Sequence, residues 1–393
     1  MPGPDDSRQV VRTMPRYIAI DGLRAWLAWI VVATHIVQQA LPDAGGADWV
    51  RMDLGGEAVS TFIIISGFVI SHLLIERPTR YLPYIVPRFM RLFPAFSVCC
   101  LIGGLAYAAS ARWSDPTWFE MNHAALFDET VEYLPQHIIA HLTMLHGVLP
   151  NTVLPLSEYV FSPPGWSVSL EWQFYLVAPL VIRMCRHRRG ATILVVAVAL
   201  LSLWYHEALK PLWDRPSMLA GSAKFFLIGI ASRFAAPALA GSVSYIAAVG
   251  LGLGFSLLWI GSPAIALWIV VYSFMMRHET PSGATDRIYT GVMRAALESR
   301  AAQFLADRSY STYLLHWSVI MVIGLFATRW GVDASWSLLA WMTAAIPLTL
   351  VLQEPIYRYV ELPGRSLGRK WARRLGGAPV KEIPKKIITA QST

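Results

Sequence analysis

Charge is scarce in this chain: only 15% of its 393 residues are Asp, Glu, Lys or Arg, against 55% hydrophobic residues. Soluble domains carry roughly 25% charged residues, so this composition excludes a soluble globular protein and points to a polytopic membrane protein. Cysteine is nearly absent as well. Cys99, Cys100 and Cys185 fall inside apolar runs without metal-ligand spacing, which excludes a disulfide framework and assigns them to packing. The first seventeen residues carry charges and prolines, and no small-residue cleavage site follows them, so a removable signal peptide is not expected. Tandem repeats, low-complexity blocks and linkers that would divide the apolar body are also missing.

Apolar segments of spanning length lie at about 18–40, 57–76, 89–109, 167–185, 191–206, 217–234, 242–259, 261–276, 309–328 and 335–360. The expected fold is an all-α polytopic membrane protein of about ten transmembrane helices. With the N-terminus inside, 26 of the 33 basic residues fall on the cytoplasmic side. Five (Arg51, Arg112, Lys210, Arg215, Arg329) fall outside, and Arg24 and Lys224 lie within helices. That asymmetry places both termini in the cytoplasm. The formal charge of +8 then reflects topology and contact with anionic membrane lipids, and nucleic acid is not an expected partner.

The chain divides into an N-terminal tail, 1–17, a ten-helix membrane domain, 18–363, and a basic cytoplasmic tail, 364–393, expected to be largely disordered. An external segment, 111–165, carries Asp115, Glu120, Asp128, Glu129, Glu132 and Glu158 against Arg112. Its middle, LPQHIIAHLTMLHGVL, is too short to span and is expected to lie in the interface or cover a cavity. A metal site of His137, His141 and His146 is the less favoured reading, and solvation of an interfacial helix the more favoured one. A cytoplasmic segment, 277–308, mixes acidic and basic residues and is expected to be partly helical.

Four runs carry residues suited to chemistry. In YIAIDGLRAWLAWIVVATHIVQQ, eleven steps of about 100° bring Arg24 and His35 onto one helix face, about 16 Å apart along the axis. Intramembrane ionisable residues are functional candidates, though a snorkelling Arg and a hydrogen-bonded His are the structural alternative. Asp21, three residues before Arg24, is placed to pair with it. In YIVPRFMRLFPAF, Arg88 and Arg91 sit at the expected start of the third helix, where helix dipole and guanidiniums make either a phosphate site or a positive-inside anchor. In PPGWSVSLEWQFYLVAP, Trp166 marks the interface and Glu171 lies at a depth comparable to His35, where it could orient or charge-balance the imidazole or bind an acceptor hydroxyl, a protonated Glu hydrogen-bonded in the bundle being the less favoured reading. In RSYSTYLLHWSVI, helix periodicity buries Ser311, Tyr313 and His316, with His316 about 10 Å inside and nearer Arg24 than the outer face. His316 could line an entry tunnel or serve the fold. Lys224 is open to either reading.

Together these runs, with STFIIISGFVISHLL and YRYVELPGR, resemble the membrane-bound acyltransferase family 3, bacterial integral-membrane O-acyltransferases that modify surface polysaccharides and related glycans. The resemblance covers nearly the whole chain. It implies catalytic roles for His35, Arg24 and Glu171, handling of acyl-CoA by Arg88 and Arg91, and support from Asp21, Trp166 and Tyr313. Ser311 and His316 are expected along the path of the pantetheine arm. The family's usual Glu-(Arg or Lys)-Pro appears here as Glu361-Leu362-Pro363, one basic residue short. Some relatives append an external esterase domain that this chain is too short to hold, so transfer is expected within the membrane body or through a separate envelope-assembly protein.

The resemblance implies no permanently bound cofactor and no metal, with acyl-CoA, in the first place acetyl-CoA, as donor substrate. The acceptor is expected to be a hydroxyl of a surface polysaccharide or other glycan, and the location the bacterial cytoplasmic (inner) membrane. An acyl-His35 intermediate stays open beside general-base catalysis. The rival class is a transporter or flippase for a lipid-linked sugar or small molecule, for which no inverted repeat is apparent. A noncatalytic membrane scaffold is the third.

Overall fold

The computed structural model describes residues 17–41, 53–113, 128, 130–241, 243, 245–256, 261–277, 284–332 and 336–377. Arg51, Asp115, Trp118, Glu120, Glu129 and the tail beyond 377 lie outside the described residues, as do the side chains of Arg112 and Trp113. Among the described residues there is no strand. The order is α1 (Ile18–Ala40), α2 (Leu54–Glu76), α3 (Tyr81–Trp113), α4 (Leu134–Leu142), α5 (Trp166–Cys185), α6 (Arg188–Trp204) and α7 (Leu219–Leu239). It continues with α8 (Tyr245–Phe255), α9 (Pro263–Met276), α10 (Ala284–Leu297), α11 (Arg300–Arg329), α12 (Trp336–Met342), α13 (Ala345–Ile356) and α14 (Leu362–Arg374).

Seven helical stretches among the described residues are long and apolar enough to cross a membrane: 18–40, 54–76, 81–109, 188–212, 219–239, 300–327 and 336–374. Each of the other three predicted segments also contains a helix. α5 has 20 residues but carries Glu171, Gln173 and Arg183, while α8 and α9 are short, with 11 and 14 residues. α6 has no buried residue and turns Ile193, Leu200 and Leu203 outward, as lipid contact allows and water would not.

The centre of the bundle is α1, α2, α5 and α11, whose apolar side chains form one continuous core. Glycines set the closest approaches. A Cβ on Gly67 of α2 would collide with the Phe226 carbonyl of α7, and one on Gly229 of α7 with the Ile64 carbonyl and, at 2.7 Å, the Phe68 amide of α2. Small residues let two membrane helices touch backbone to backbone in this way. Gly22 of α1 is held against the Leu297 carbonyl at the end of α10 in the same manner.

Three boundaries differ from the sequence reading, each for a local reason. α3 begins at Tyr81 rather than near Arg88, because Pro83 sits in a first turn that needs no amide and the hydroxyls of Tyr81 and Tyr84 anchor that turn to carbonyls of α5. α11 begins at Arg300, nine residues before Ser309, since polar side chains such as Gln303 find backbone acceptors at Ile18 and Leu297. The basic segment after Pro363, expected to be disordered, is helical as far as Arg374 and packs along α3, with Gly364 and Gly368 against Met90.

Candidate active site

α1 runs unbroken from Ile18 to Ala40, so the face shared by Arg24 and His35 is preserved. His35 does not meet Glu171. Its Nδ1 lies 2.9 Å from Nε2 of His316 on α11. The two ring planes are 6° apart with centroids 5.1 Å apart, the geometry of coplanar imidazoles joined edge to edge, since face-to-face rings would be closer. Trp317 closes one side, edge-on to His35 at 5.0 Å.

The hydrogen-bond chain fixes the tautomers. His316 Nδ1 lies 2.7 Å from the Tyr313 carbonyl, which can only accept, so Nδ1 carries a proton. With His316 neutral, its Nε2 is an acceptor and His35 Nδ1 must donate to it. The lone pair of His35 is therefore on Nε2, aimed away from its partner. An imidazole held in one tautomer by a second group is the arrangement of a general base.

His316 was expected near the inner end, about 10 Å deep. Because α11 starts at Arg300, the residue is sixteen positions along the helix, about 24 Å from its start, and level with His35. It faces His35 rather than an entry path. Tyr313, one turn earlier, is held by α5: its hydroxyl is 2.8 Å from Ser167 Oγ and donates to the Pro164 carbonyl at 3.2 Å. The Pro163-Pro164-Gly165 turn that opens α5 thus fixes the turn of α11 on which the histidine pair depends.

A cavity of about 80 Å³ lies inward of Tyr313, between Arg24, Ser66, Arg91, Glu171, Tyr310 and Tyr313. Glu171 accepts from Ser66 Oγ at 2.9 Å and from the Tyr175 hydroxyl. It is close enough to act electrostatically on Arg24, Arg88 and Arg91, so its charge balances guanidiniums rather than the imidazole. Its depth in α5 misled because depth says nothing of azimuth: Glu171 points toward α2 and α3, whereas His35 points toward α11.

Asp21, one turn before Arg24 on α1, acts electrostatically on its guanidinium. The Nε atoms of Arg88 and Arg91 are buried without a hydrogen-bond partner. Arg88 is seven residues into α3, so the free amides of a helix start do not contribute there. The pair remains a cationic patch on the arginine-rich half of the bundle, with Arg91 on the cavity.

Ser311 is fully buried and does not line a path. It donates to Glu361 Oε2 at 2.6 Å, and the other oxygen of Glu361 pairs with Arg365. Glu361 sits on a π-helical turn, Tyr357–Glu361, and acts electrostatically on Arg91. Arg365, one helical turn after Glu361, is the cation that pairs with it. Ser66, Ser167, Tyr175, Tyr310 and Glu361 join the site without having been picked out as site residues. Of these, Tyr175, four residues after Glu171, had a readable signal in its spacing, and Glu361 stood out through its Glu361-Leu362-Pro363 run.

Above the histidine pair, at the end of the bundle where α2, α5 and α7 begin, lies a second cavity of about 300 Å³. Trp166 and Lys224 line it, and Ile63 belongs to both cavities. The histidine-rich segment covers the start of α5. His137, His141 and His146 are buried, His141 and His146 stack face to face with centroids 4.1 Å apart, and His146 Nε2 is 3.2 Å from the Gly165 carbonyl. Burial holds His137 and His141 down to about 4 and keeps His146 well below the ordinary range. Among the described residues no group of His, Cys, Asp and Glu is arranged to hold a metal ion.

A family model described as an acyltransferase domain matches residues 17–353. The O-acetyltransferase OatA of Staphylococcus aureus is 25% identical over 401 residues, covering 91% of this chain and 58% of that protein. BcsY of Komagataeibacter xylinus, named as a membrane-bound transacylase, is 27% identical over 369 residues, 88% of this chain and 82% of that one. The acyltransferase MdmB of Streptomyces mycarofaciens is 29% identical over 174 residues, 44% of this chain and 40% of that one. The chain spans less than two thirds of the length of MdmB and OatA. No solved structure matches it.

Proposed function

This chain belongs to the acyltransferase family whose domain covers residues 17–353, and from that premise we propose that it transfers an acyl group, acetyl in the first instance, from acyl-CoA to a hydroxyl of an extracytoplasmic glycan. The observation that carries the reading is the coplanar His35–His316 pair, which leaves the His35 lone pair on Nε2 free to take a proton. OatA and BcsY, by their names an O-acetyltransferase and a membrane-bound transacylase, favour the same chemistry.

The proposed arrangement has ten spans with both termini in the cytoplasm of a bacterial inner membrane, as the basic residues at 183–189 and 365–374 favour. Acyl-CoA enters from that side. Its phosphates meet Arg88 and Arg91, with Arg24 deeper along the same route. The cavity, at about 80 Å³, holds a few waters and not a pantetheine arm, so entry of the donor requires the helices around it to part.

In the transfer step His35 Nε2 takes the proton of the acceptor hydroxyl as its oxygen attacks the thioester carbonyl carbon. The tetrahedral intermediate collapses with cleavage of the C–S bond, and the thiolate of CoA leaves and recovers the proton from the imidazolium. His316 accepts the Nδ1 hydrogen bond throughout, while Arg24, about 16 Å away along α1, stays on the donor's route. The products are an ester and CoA thiol.

The test is CoA release from acetyl-CoA by protein purified in lipid, with and without crude envelope glycans. Release stimulated by acceptor is the expected result. Its absence with several short-chain donors and a broad acceptor extract, from folded protein, would favour the transporter reading.

A further inference from the structure

The cavity of about 300 Å³ that opens beside Trp166 is lined by six formally charged side chains, three of each sign, and the two signs are used differently. The carboxylates are committed to the fold. Asp53 caps α2 by accepting from the Gly56 amide at 2.9 Å. Glu57 accepts from the Ala264 amide at 2.8 Å and from Ser262 Oγ at 3.0 Å at the start of α9. Asp214 accepts from the Asn151 side-chain amide at 3.1 Å. Two of the three negative charges therefore sit on helix N-termini, each equivalent to roughly +0.5 charge, and are about half offset there.

The cations are less committed: Arg215 lies against Tyr159 and Lys224 Nζ lies 5.2 Å from the Phe225 ring. Lys210, Arg215 and Lys224 are exposed to this cavity, and among the described residues none is in an ion pair. Arg215 is fixed in place all the same. Its backbone amide donates to the buried Glu158 carboxylate at 2.9 Å, and its guanidinium lies 5.9 Å from the Tyr159 ring. The cavity shares Ile63 with the smaller one, which is also lined by Ser167 and by Tyr313, one turn of α11 from His316.

We infer that this cavity is the acceptor subsite and that it selects acceptors carrying an anionic group, a carboxylate or phosphate, near the hydroxyl that is acylated. The inference rests on the acyltransferase reading. Trp166 offers an apolar face to a sugar ring, and Lys210, Arg215 and Lys224 hold the anion, directing the hydroxyl toward His35. A neutral glycan gains nothing from those three charges.

The test uses the full chain in lipid nanodiscs and measures binding of three soluble probes: an oligogalacturonate, a hexose phosphate and a neutral malto-oligosaccharide. The anionic probes should bind at least about tenfold more tightly than the neutral one, and lose that advantage between about 50 and 500 mM salt. The stronger of the two anions tells carboxylate from phosphate. Replacing Lys210 and Lys224 together by Gln should weaken the anionic probes about tenfold, each exposed charge contributing about threefold. Replacement by Arg should restore binding and serves as the control for folding. Equal affinity for neutral and anionic probes, or no change in the Gln variant, would overturn the inference. Acyl transfer by the wild type without any preference for anionic acceptors would also overturn it and leave the enzyme reading intact. Anion binding without transfer from any donor would instead remove the enzyme reading.

Discussion

His35 presents its lone pair on Nε2 only while its Nδ1 proton is engaged, and His316 is the residue that engages it. Exchanging His316 for Ala should therefore lower kcat by about tenfold to a hundredfold, the usual effect of losing a group that orients a functional imidazole, while KM for acyl-CoA is unchanged. Gln at that position can accept the same proton through its carbonyl oxygen and should recover part of the rate. A rise in KM with kcat intact would place His316 on the donor path instead. Exchanging Arg91 for Gln should do the opposite, raising KM for acyl-CoA by about tenfold or more with a smaller effect on kcat. The Arg24–His35 spacing was legible in the sequence because both lie on one uninterrupted helix. The bond between His35 and His316 was not, since 281 residues separate them and helical period carries no information about which helices meet. Glu171 shows the same limit: it meets Ser66, Tyr175 and the arginines instead of His35.

At the scale of elements, the histidine-rich segment is a clamp on the start of α5, and its histidines are neutral in the fold. Rings held down to about 4 against an ordinary value near 6.5 contribute stability above pH 6.5 that is lost as pH falls toward 4. Buried Glu158, raised by its burial, works in the opposite sense and does not oppose protonation at low pH. Hydrogen exchange in residues 134–149, corrected for its intrinsic pH dependence, should rise by about tenfold or more between pH 7 and pH 5. Unchanged protection would show that the rings do not govern the clamp. The α2–α7 crossing makes a second prediction. Gly229→Leu forces two backbones apart and should lower stability by about 1–3 kcal/mol or more, read as a fall in Tm in detergent. Helix existence was readable from apolar runs, but the true starts of α3 and α11 were not, because Pro83 and Pro87 interrupt the beginning of α3 and the polar first turns of α11, held by Gln303, carry little apolar signal.

For the molecule as a whole, the proposed topology places α14 and the C-terminus in the cytoplasm. A fluorescent protein fused after residue 393 should fluoresce, and alkaline phosphatase at the same point should be inactive; the reverse pattern would invert the assignment of donor and acceptor sides. The bundle then divides the labour along its axis: arginines on the inner half, the small cavity at mid-depth, the histidine pair beyond it, and the polar vestibule outermost. Under the proposed function, that ordering would bring donor and acceptor to His35 from opposite faces. The most direct test is transfer of a labelled acetyl group to an envelope-glycan acceptor by wild type and by His35→Ala in the same lipid, with folding of both checked by Tm. A loss of about 10²–10⁴-fold in kcat with Tm preserved is the predicted result, and transfer by the variant at the wild-type rate would contradict His35 as the base.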